Sequence, residues 1–215
     1  MRGFLRKKPE ARPEPTGPTR LHVGCGQEAI AGWINIDNQP LPGVDRVLDV
    51  RGGLPYSGVS AIYAEHFIEH LGFEDALAFL GECRRVLLPD GVLRLSTPNL
   101  DWVLTTHYRW HDVTQPDRVF DCMRLNRAFR AWGHQFLYNQ ETLAAVLRNA
   151  GFAHATFHRY GESERADLRG LERHERWEEQ ETLLHVLVAE AWGTGLREPL
   201  PTDFLKEFRE TMSAR

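Results

Sequence analysis

The stretch Leu21-His22-Val23-Gly24-Cys25-Gly26-Gln27 joins an apolar strand to a glycine turn. Residues 20–23 alternate as a β-strand does, and Gly24 and Gly26 lack the Cβ atoms that would hold a ligand away from the backbone. The pattern predicts a loop that approaches its ligand closely. By itself the turn is equally compatible with a purely structural role, because only two glycines of the dinucleotide fingerprint are present.

A second short apolar run, Ile34-Asn35-Ile36, follows the glycine turn and is closed by Asp37. An acidic residue at the tip of the second strand of a doubly wound sheet is placed to accept hydrogen bonds from ribose hydroxyls. The glycine turn and Asp37 together therefore suggest a cofactor that carries a nucleoside.

The composition is that of an ordinary globular protein. The 215 residues suffice for one domain with additions, and 42% of them are hydrophobic and 26% charged. A net charge of -4 gives no electrostatic footprint for nucleic acid. Three cysteines without a Cys-x-x-Cys pair indicate neither a disulfide framework nor a cysteine zinc site, which fits a reducing cytoplasm. No apolar run approaches the length of a bilayer span, so no membrane attachment is predicted.

The chain divides into three parts by composition. Residues 1–19 are rich in Arg, Pro and Glu and cannot bury enough apolar surface to fold, so we expect a disordered tail. We expect residues 20–192 to form one domain and residues 193–215 to form a tail or short helix. Inside the domain, the apolar runs 44–50 and 61–64 predict a third and a fourth strand.

A strand, a helix and a strand follow one another in the middle of the chain. Apolar residues at helical spacing predict a helix over 73–87, with Arg84 and Arg85 near its end to complement the helix dipole. Pro89-Asp90-Gly91 predicts a tight turn, and residues 92–97 a strand. This succession favours a right-handed parallel crossover, so the sequence predicts an α/β fold with a doubly wound sheet.

The second half of the domain is less regular. Residues 99–130 are polar and aromatic-rich and are predicted to be irregular, as part of a covering segment at about 99–138. Asn139 is the predicted N-cap of a helix that Gly151 ends. A strand, a partly helical stretch and a strand that closes the sheet are then predicted over 152–158, 168–177 and 182–192.

Five motifs occur in the order seen in class I S-adenosylmethionine-dependent methyltransferases. They are the glycine turn, Gly32-Trp33-Ile34-Asn35-Ile36-Asp37, Asp49 with Leu54-Pro55-Tyr56, Glu65-His66-Phe67-Ile68-Glu69-His70-Leu71, and Leu88-Pro89-Asp90-Gly91-Val92-Leu93-Arg94-Leu95-Ser96. Over residues 21–151 the sequence most resembles predicted bacterial methyltransferases often associated with surface-polysaccharide genes. The resemblance implies a doubly wound, mostly parallel seven-stranded sheet. His22 and Gln27 depart from the family pattern, which has an acid before the first glycine and often a third glycine.

The resemblance also implies a site for the cofactor S-adenosylmethionine. Gly24, Cys25 and Gly26 would pass their backbone under its methionine part, and Asp37 would accept hydrogen bonds from its ribose hydroxyls. The glycine turn and Asp37 thus form the first half of the predicted site.

The rest of the implied site follows the third and fourth strands. Asp49 and the backbone of Val50 would face the adenine, and Glu65 and His66 would lie near the sulfonium. Because a sulfonium methyl group is already activated, catalysis is chiefly alignment, with proton removal from the acceptor. The implied acceptor is an oxygen on a small molecule or glycan. Neither a nucleic-acid partner nor an oligomeric state follows from the sequence.

A general base is sought among the ten histidines, because imidazole titrates near neutral pH. His134 is preferred, since it precedes the capped helix in a loop that can overhang the pocket mouth. His107 and His66 are the other candidates. Any one histidine is more often a surface or hydrogen-bonded structural residue. No metal site is predicted, because His66 and His70 could share a helix face but lack identifiable further ligands.

Two other classes of function stay open. A nicotinamide-dependent dehydrogenase or epimerase would carry a full three-glycine fingerprint or, in the short-chain type, a Tyr-x-x-x-Lys pair, and the sequence has neither. A non-catalytic relative that keeps the fold as a binding module is compatible with His22 in place of the family's acid.

Overall fold

The computed structural model describes residues 18–110, 114–174 and 183–213, so the predicted tail lies outside the described residues up to position 17. The strands are β1 (Thr19–Val23), β2 (Ile34–Asp37), β3 (Arg46–Val47), β4 (Val59–Glu65), β5 (Leu87–Pro98), β6 (Phe152–His158) and β7 (Val186–Thr194). The α-helices are α1 (Phe73–Val86), α2 (Leu100–His107), α3 (Gln115–Arg130), α4 (Gln140–Asn149) and α5 (Thr202–Ser213). Short 3-10 turns occur at Val50–Gly52, Ile68–His70 and Ala131–Gly133.

The described strands form one seven-stranded sheet in the order β3-β2-β1-β4-β5-β7-β6. The pairings from β3 to β5 are parallel, whereas β7 runs antiparallel to both β5 and β6. The sheet is therefore mixed, and its parallel part matches the prediction of a mostly parallel α/β sheet. The strand order reverses between β1 and β4, which makes this the switch point where α/β sheets bind ligands.

Helices cover one face of the sheet. Phe79 and Leu80 of α1 and Leu147 of α4 share one buried cluster with Ile62 of β4. The predicted N-cap of α4 is confirmed, because the Asn139 side chain accepts a hydrogen bond from the backbone N–H three residues later, at 3.0 Å. These two helices bury their apolar faces against the parallel strands and hold the strand ends in place.

The other face has a different cover. Its buried cluster consists of Ile30, Trp33, Ala61, Tyr63, Val92, Leu168 and Leu171, and none of these lies in a helix. The connection 24–33 between β1 and β2 runs in turns and is shorter than the dozen or more residues that a helical crossover usually takes. A doubly wound sheet has helices on both faces. Among the described residues, helices cover one face, and the other face is covered by non-helical segments.

An ion cluster attaches the non-helical segment 161–174 to the sheet. Arg94 of β5 is fully buried, and its Nε and Nη2 atoms donate to Glu172 at 2.8 and 3.0 Å. Its Nη1 atom donates to Glu190 of β7 at 2.5 Å. The Arg94 guanidinium therefore links β5, β7 and the segment 161–174 through hydrogen bonds.

The prediction that residues 99–130 are irregular is wrong, because they contain the helices α2 and α3. The Asn99 side chain accepts from the backbone N–H of Asp101 at 3.0 Å and so caps α2. The Thr114 hydroxyl accepts from the N–H of Asp117 at 3.3 Å and caps α3 in the same way. Both caps are local signals, but the apolar residues Val119, Phe120 and Met123 of α3 are exposed and so mark no buried helix face.

Three further boundaries differ from the predictions. The described part of the predicted helix 168–177, up to His174, forms turns, and Gly170 has φ +69° there. The predicted turn at 89–91 is a bulge inside β5, since Leu87 pairs with Val59 and Val92 with Ala61. The final strand runs from Val186 to Thr194, whereas the predicted strand runs over 182–192. Thr182 lies outside the described residues. Among the described helices, none has both the length and the apolarity needed to cross a membrane.

Candidate functional site

A cavity of about 450 Å³ opens at the carboxyl ends of the parallel strands, beside the switch point. The cavity is lined by Val23, Gly24, Ile36, Asp37, Asn38, Leu48, Asp49, Val50, Arg51, His66, Phe67, His70, Leu71, Asp75 and Gln135. Its volume lies within the range of small-molecule sites, roughly 300–1,000 Å³. The sheet edge and the volume together indicate a site for one small ligand.

The glycine turn and Asp37 meet at this cavity. The Gly26 N–H donates to Asp37 Oδ2 at 2.9 Å, and the Gln39 N–H donates to Oδ1 at 2.9 Å. Gly24 has φ +68°, and a Cβ on it would lie 2.3 Å from Cδ2 of Phe67. Position 24 therefore accepts only glycine, and the carboxylate is fixed at the cavity wall with a lone pair left on each oxygen.

Cys25 and Gly26 are not among the lining residues, although they belong to the same turn. The Cys25 side chain is buried, and burial raises the pKa of its thiol to about 11, so it stays protonated and unreactive near neutral pH. His22, which replaces the family's acid, contacts Asn35 Oδ1 at 3.2 Å and lies away from the cavity. Burial lowers the pKa of His22, so it is neutral inside the fold.

Asp49 and Val50, the two residues expected to face the adenine, both line the cavity. The Asp49 carboxylate is paired with Arg51, whose Nη2 lies 2.6 Å from Oδ2 and whose Nε lies 2.9 Å from Oδ1. Hydrogen bonds from Arg51 lower the pKa of Asp49 to about 2, so the carboxylate is charged at neutral pH. Any ligand amine that approaches Asp49 has to share it with Arg51.

Glu65 does not line the cavity, although His66 beside it does. The Glu65 carboxylate accepts from the backbone N–H groups of Arg173 and His174, at 2.9 and 3.1 Å. The His174 ring also donates to this carboxylate, and that hydrogen bond raises the pKa of His174. The rings of His174 and His66 then lie 4.4 Å apart. Glu65 thus anchors a neighbour of His66 instead of facing the ligand cavity.

His66 lines the cavity, and hydrogen bonds hold both its backbone and its side chain. Its backbone has φ +45°, and its N–H donates to the Ser96 carbonyl at 2.9 Å. Its Nδ1 lies 3.0 Å from Oε1 of Glu69, a fully buried residue whose Oε2 accepts from Thr97 Oγ1 at 2.9 Å. Because a carboxylate only accepts, Nδ1 carries the proton and the Nε2 lone pair is left free.

Of the three histidines predicted as candidate bases, His134 and His107 do not line the cavity, whereas His66 does. His134 Nδ1 lies 2.8 Å from the carbonyl oxygen of Ala128, and its ring contacts that of His70, a lining residue, at 5.1 Å. His107, on α2, packs against Trp102, and burial lowers its pKa. Burial also lowers the pKa of His70.

The residues that sequence reasoning missed at this site are Phe67, Glu69, His70 and Gln135. Three of them belong to the motif Glu65-His66-Phe67-Ile68-Glu69-His70-Leu71, whose repeated Glu-His pair is visible in the sequence. Gln135 joins them because its Nε2 donates to the His70 carbonyl at 2.7 Å. The repeated pair could have drawn attention to Glu69, but nothing local links Gln135 to it.

The comparisons with known proteins establish the fold. The structure is similar to a SAM-dependent methyltransferase from Archaeoglobus fulgidus, with TM-score 0.51 and 16% identity over 83% of this chain and 88% of that one. An S-adenosylmethionine-dependent methyltransferase from Mesorhizobium loti gives TM-score 0.50 and 16% identity, over 84% and 93% of the two chains.

A possible exported protein from Bordetella parapertussis gives TM-score 0.53 and 13% identity, over 83% of this chain and 63% of that one. No protein-family model matches the sequence, and no curated protein matches it. The sheet and its helical face thus have the class I fold of the S-adenosylmethionine-dependent methyltransferases.

Proposed function

We propose that this chain is an S-adenosylmethionine-dependent methyltransferase that methylates an oxygen on a small molecule or glycan. The observation that carries the proposal is the link between the glycine turn and Asp37 at the switch-point cavity. It combines a close backbone approach with a fixed carboxylate, which are the two features that a nucleoside cofactor requires at this place in the fold. The surface-polysaccharide connection rests on the sequence resemblance.

The cavity residues fit the cofactor. Asp37 keeps one lone pair on each carboxylate oxygen for the two ribose hydroxyls, because each oxygen accepts only one backbone amide. Gly24 leaves the wall without a side chain at the turn. Asp49 and Val50 flank the adjoining part of the cavity, where the adenine would be held. When bound, S-adenosylmethionine supplies a methyl group on a positively charged sulfur.

His66 is the base that the geometry supports best. Its Nε2 lone pair is free while Glu69 holds the proton on Nδ1, and its ring lines the cavity. His66 would accept the proton of the acceptor hydroxyl at Nε2, and the nearby Glu69 carboxylate would stabilise the resulting imidazolium. The methyl group on the acceptor oxygen would come from the bound S-adenosylmethionine, which would leave as a neutral thioether.

His134 and His107 are less suited to this role. The Nδ1 of His134 donates to a backbone carbonyl, so its tautomer is held by a peptide group and not by a carboxylate. His107 lies on α2 beside Trp102 and away from the cavity wall. We therefore propose His66 in place of His134, and we propose that Glu65 acts only by holding the segment around His174.

Calorimetric titration tests the cofactor. We expect binding of S-adenosylmethionine and of S-adenosylhomocysteine but not of NAD. The Asp37→Asn variant removes the charge that accepts from the ribose and should weaken both interactions at least about tenfold. Asp90→Asn is the matched control, since Asp90 is exposed in the bulge of β5 and should change neither.

Binding of NAD alone, or equal affinities in the Asp37 and Asp90 variants, would contradict the proposed cofactor site. Formation of S-adenosylhomocysteine is then measured with a panel of hydroxylated small molecules and oligosaccharides. Cofactor binding without transfer to any of them would favour the binding module over the enzyme.

A further inference from the structure

The turn after β4 and the segment after α3 bring three metal-ligating side chains together at the rim of the cavity. We propose that Glu69, His70 and His134 bind one divalent first-row transition-metal cation. Each offers one ligand atom, and these atoms all lie within 4.8 Å of one another. The sequence alone did not indicate this set, because His134 is far from the other two along the chain.

The two segments are tied to each other through their backbones. The N–H groups of Gln135 and Phe136 both donate to the Glu69 carbonyl, at 2.7 and 3.2 Å. The Gln135 side chain adds a hydrogen bond of 2.7 Å to the His70 carbonyl. His134, which precedes Gln135, is therefore positioned against Glu69 and His70 before any cation arrives.

One of the two histidines, His134, has a ring nitrogen engaged by a backbone carbonyl. Its Nδ1 donates to Ala128 O at 2.8 Å, so its Nε2 presents a lone pair. Metal-binding histidines in proteins typically donate their second nitrogen to a carbonyl or carboxylate in this manner, because the partner fixes the ring and its tautomer.

Glu69 can serve the cation and His66 at once. Its carboxylate has about four lone-pair positions, and the hydrogen bonds to His66 and Thr97 occupy two of them. The side chain is fully buried, where a negative charge requires compensation. A cation beside it supplies that compensation, and His70 gives it a path from solvent because His70 lines the cavity.

The donor set points to a cation of the Zn²⁺ or Fe²⁺ type. Two imidazoles favour first-row transition metals, whereas Mg²⁺ prefers a shell made of oxygen atoms. Three protein ligands leave coordination positions open. If the proposed function holds, an acceptor oxygen that takes an open position would have the pKa of its hydroxyl lowered by the cation.

The test is equilibrium dialysis of the tag-free full chain against Zn²⁺, Co²⁺ and Mg²⁺, followed by metal quantification, without S-adenosylmethionine. We expect one equivalent of Zn²⁺ or Co²⁺ and none of Mg²⁺. His70→Ala and His134→Ala should each lose at least tenfold in affinity. His154→Ala is the matched control, because it removes an exposed imidazole of β6 and should bind as the unmodified chain does.

The Co²⁺ visible spectrum of the unmodified chain keeps the test valid if a variant fails to fold. A spectrum with nitrogen ligation supports the site, whereas a spectrum like that of hydrated Co²⁺ contradicts it. Equal binding by the His70, His134 and His154 variants would also overturn the proposal. Cofactor titration of the chelated chain is read separately, so loss of the cation site alone leaves the proposed function standing.

Discussion

Two buried ionic clusters lie on opposite faces of β5, because Arg94 and Thr97 point to opposite sides of the strand. The three side-chain nitrogens of Arg94 are hydrogen-bonded, and the side chains of Glu172 and Glu190 are at most 5% exposed. Around Thr97, Glu69 is equally buried, but its partner His66 is 18% exposed and lines the cavity. The first cluster is closed to the cavity, with His158, 14% exposed, 3.4 Å from Glu190 on its surface side, and the second is open to the cavity through His66.

The two clusters therefore have different physical roles. In the closed cluster each of the three guanidinium nitrogens donates to a carboxylate, and the group is fully buried, out of reach of a ligand. In the open cluster the carboxylate fixes one ring nitrogen of His66 and leaves the other to face the cavity. Closed clusters hold segments together, and open ones have unused lone pairs for chemistry.

The largest effect is expected from breaking the closed cluster. Arg94→Met leaves two buried carboxylates without their cation and should lower the free energy of unfolding by about 3–5 kcal/mol. Urea denaturation measures this change. Arg148→Met is the control, since Arg148 pairs with Glu198 at the surface and should cost less than about 1 kcal/mol.

The triple variant Arg94→Met, Glu172→Leu, Glu190→Leu sharpens the same test. Replacing a whole buried ion cluster by apolar groups is often neutral or stabilising, so the triple variant should recover most of the stability lost by Arg94→Met. A triple variant as unstable as the single one would show that the cluster contributes more than mutual compensation of its charges.

The next effect is expected from the open cluster, and it concerns rate. His66→Asn removes the proposed base while keeping a residue type that tolerates positive φ, and it should slow methyl transfer about hundredfold. Formation of S-adenosylhomocysteine, with an acceptor from the screen above, measures the rate. The free energy of unfolding should change by less than about 1 kcal/mol.

His154→Asn is the matched control for His66, because it removes an exposed imidazole and should leave the rate unchanged. An unaltered rate in the His66 variant would remove the proposed base. A large loss of stability in that variant would mean that the open cluster also holds the fold together.

The smallest effect is expected from pH. Burial lowers the pKa of His185, which packs against Trp102, to about 4, whereas an unfolded histidine titrates near 6.5. Between these values the unfolded chain binds a proton that the folded chain does not, so stability should fall as pH drops from about 6.5 to about 4. His185→Phe should flatten this dependence by about 1 kcal/mol, or about 2–4 °C in Tm.

Melting curves across this pH range, with His154→Phe as the control, measure the slope. His22 acts in the same direction because burial lowers its pKa too. A slope that is equal in all three proteins would show that His185 does not couple protonation to folding.

Local patterns predicted the parts of the fold that depend on neighbouring residues. The turn from Val23 to Gly26, the acid at Asp37 and the cap at Asn139 are all decided within a few positions of the chain. The helices of 99–130 were missed because α3 exposes Val119, Phe120 and Met123, so its apolar residues do not mark a buried face.

The cover of the second face could not be predicted from sequence for a similar reason. Leu168 and Leu171 are buried in the segment that Glu172 attaches to Arg94, and these two ion-pair partners lie far apart in sequence. At the site, the motifs predicted Asp37 and His66 near the ligand, but they did not predict that His134 lies beside His70. That contact depends on hydrogen bonds between backbone segments, which carry no side-chain signature.

The position of β7 has a consequence for folding during synthesis. β7 is the last of the described strands along the chain, yet it lies between β5 and β6, and in the described sheet β6 pairs only with β7. A nascent chain that has emerged only up to β6 therefore carries an unpaired strand and leaves the outer edge of β5 open. Since chains emerge at roughly 5–20 residues per second, this state lasts for seconds in every synthesis cycle. The chaperones that bind nascent chains would meet this protein with its sheet still open at β5.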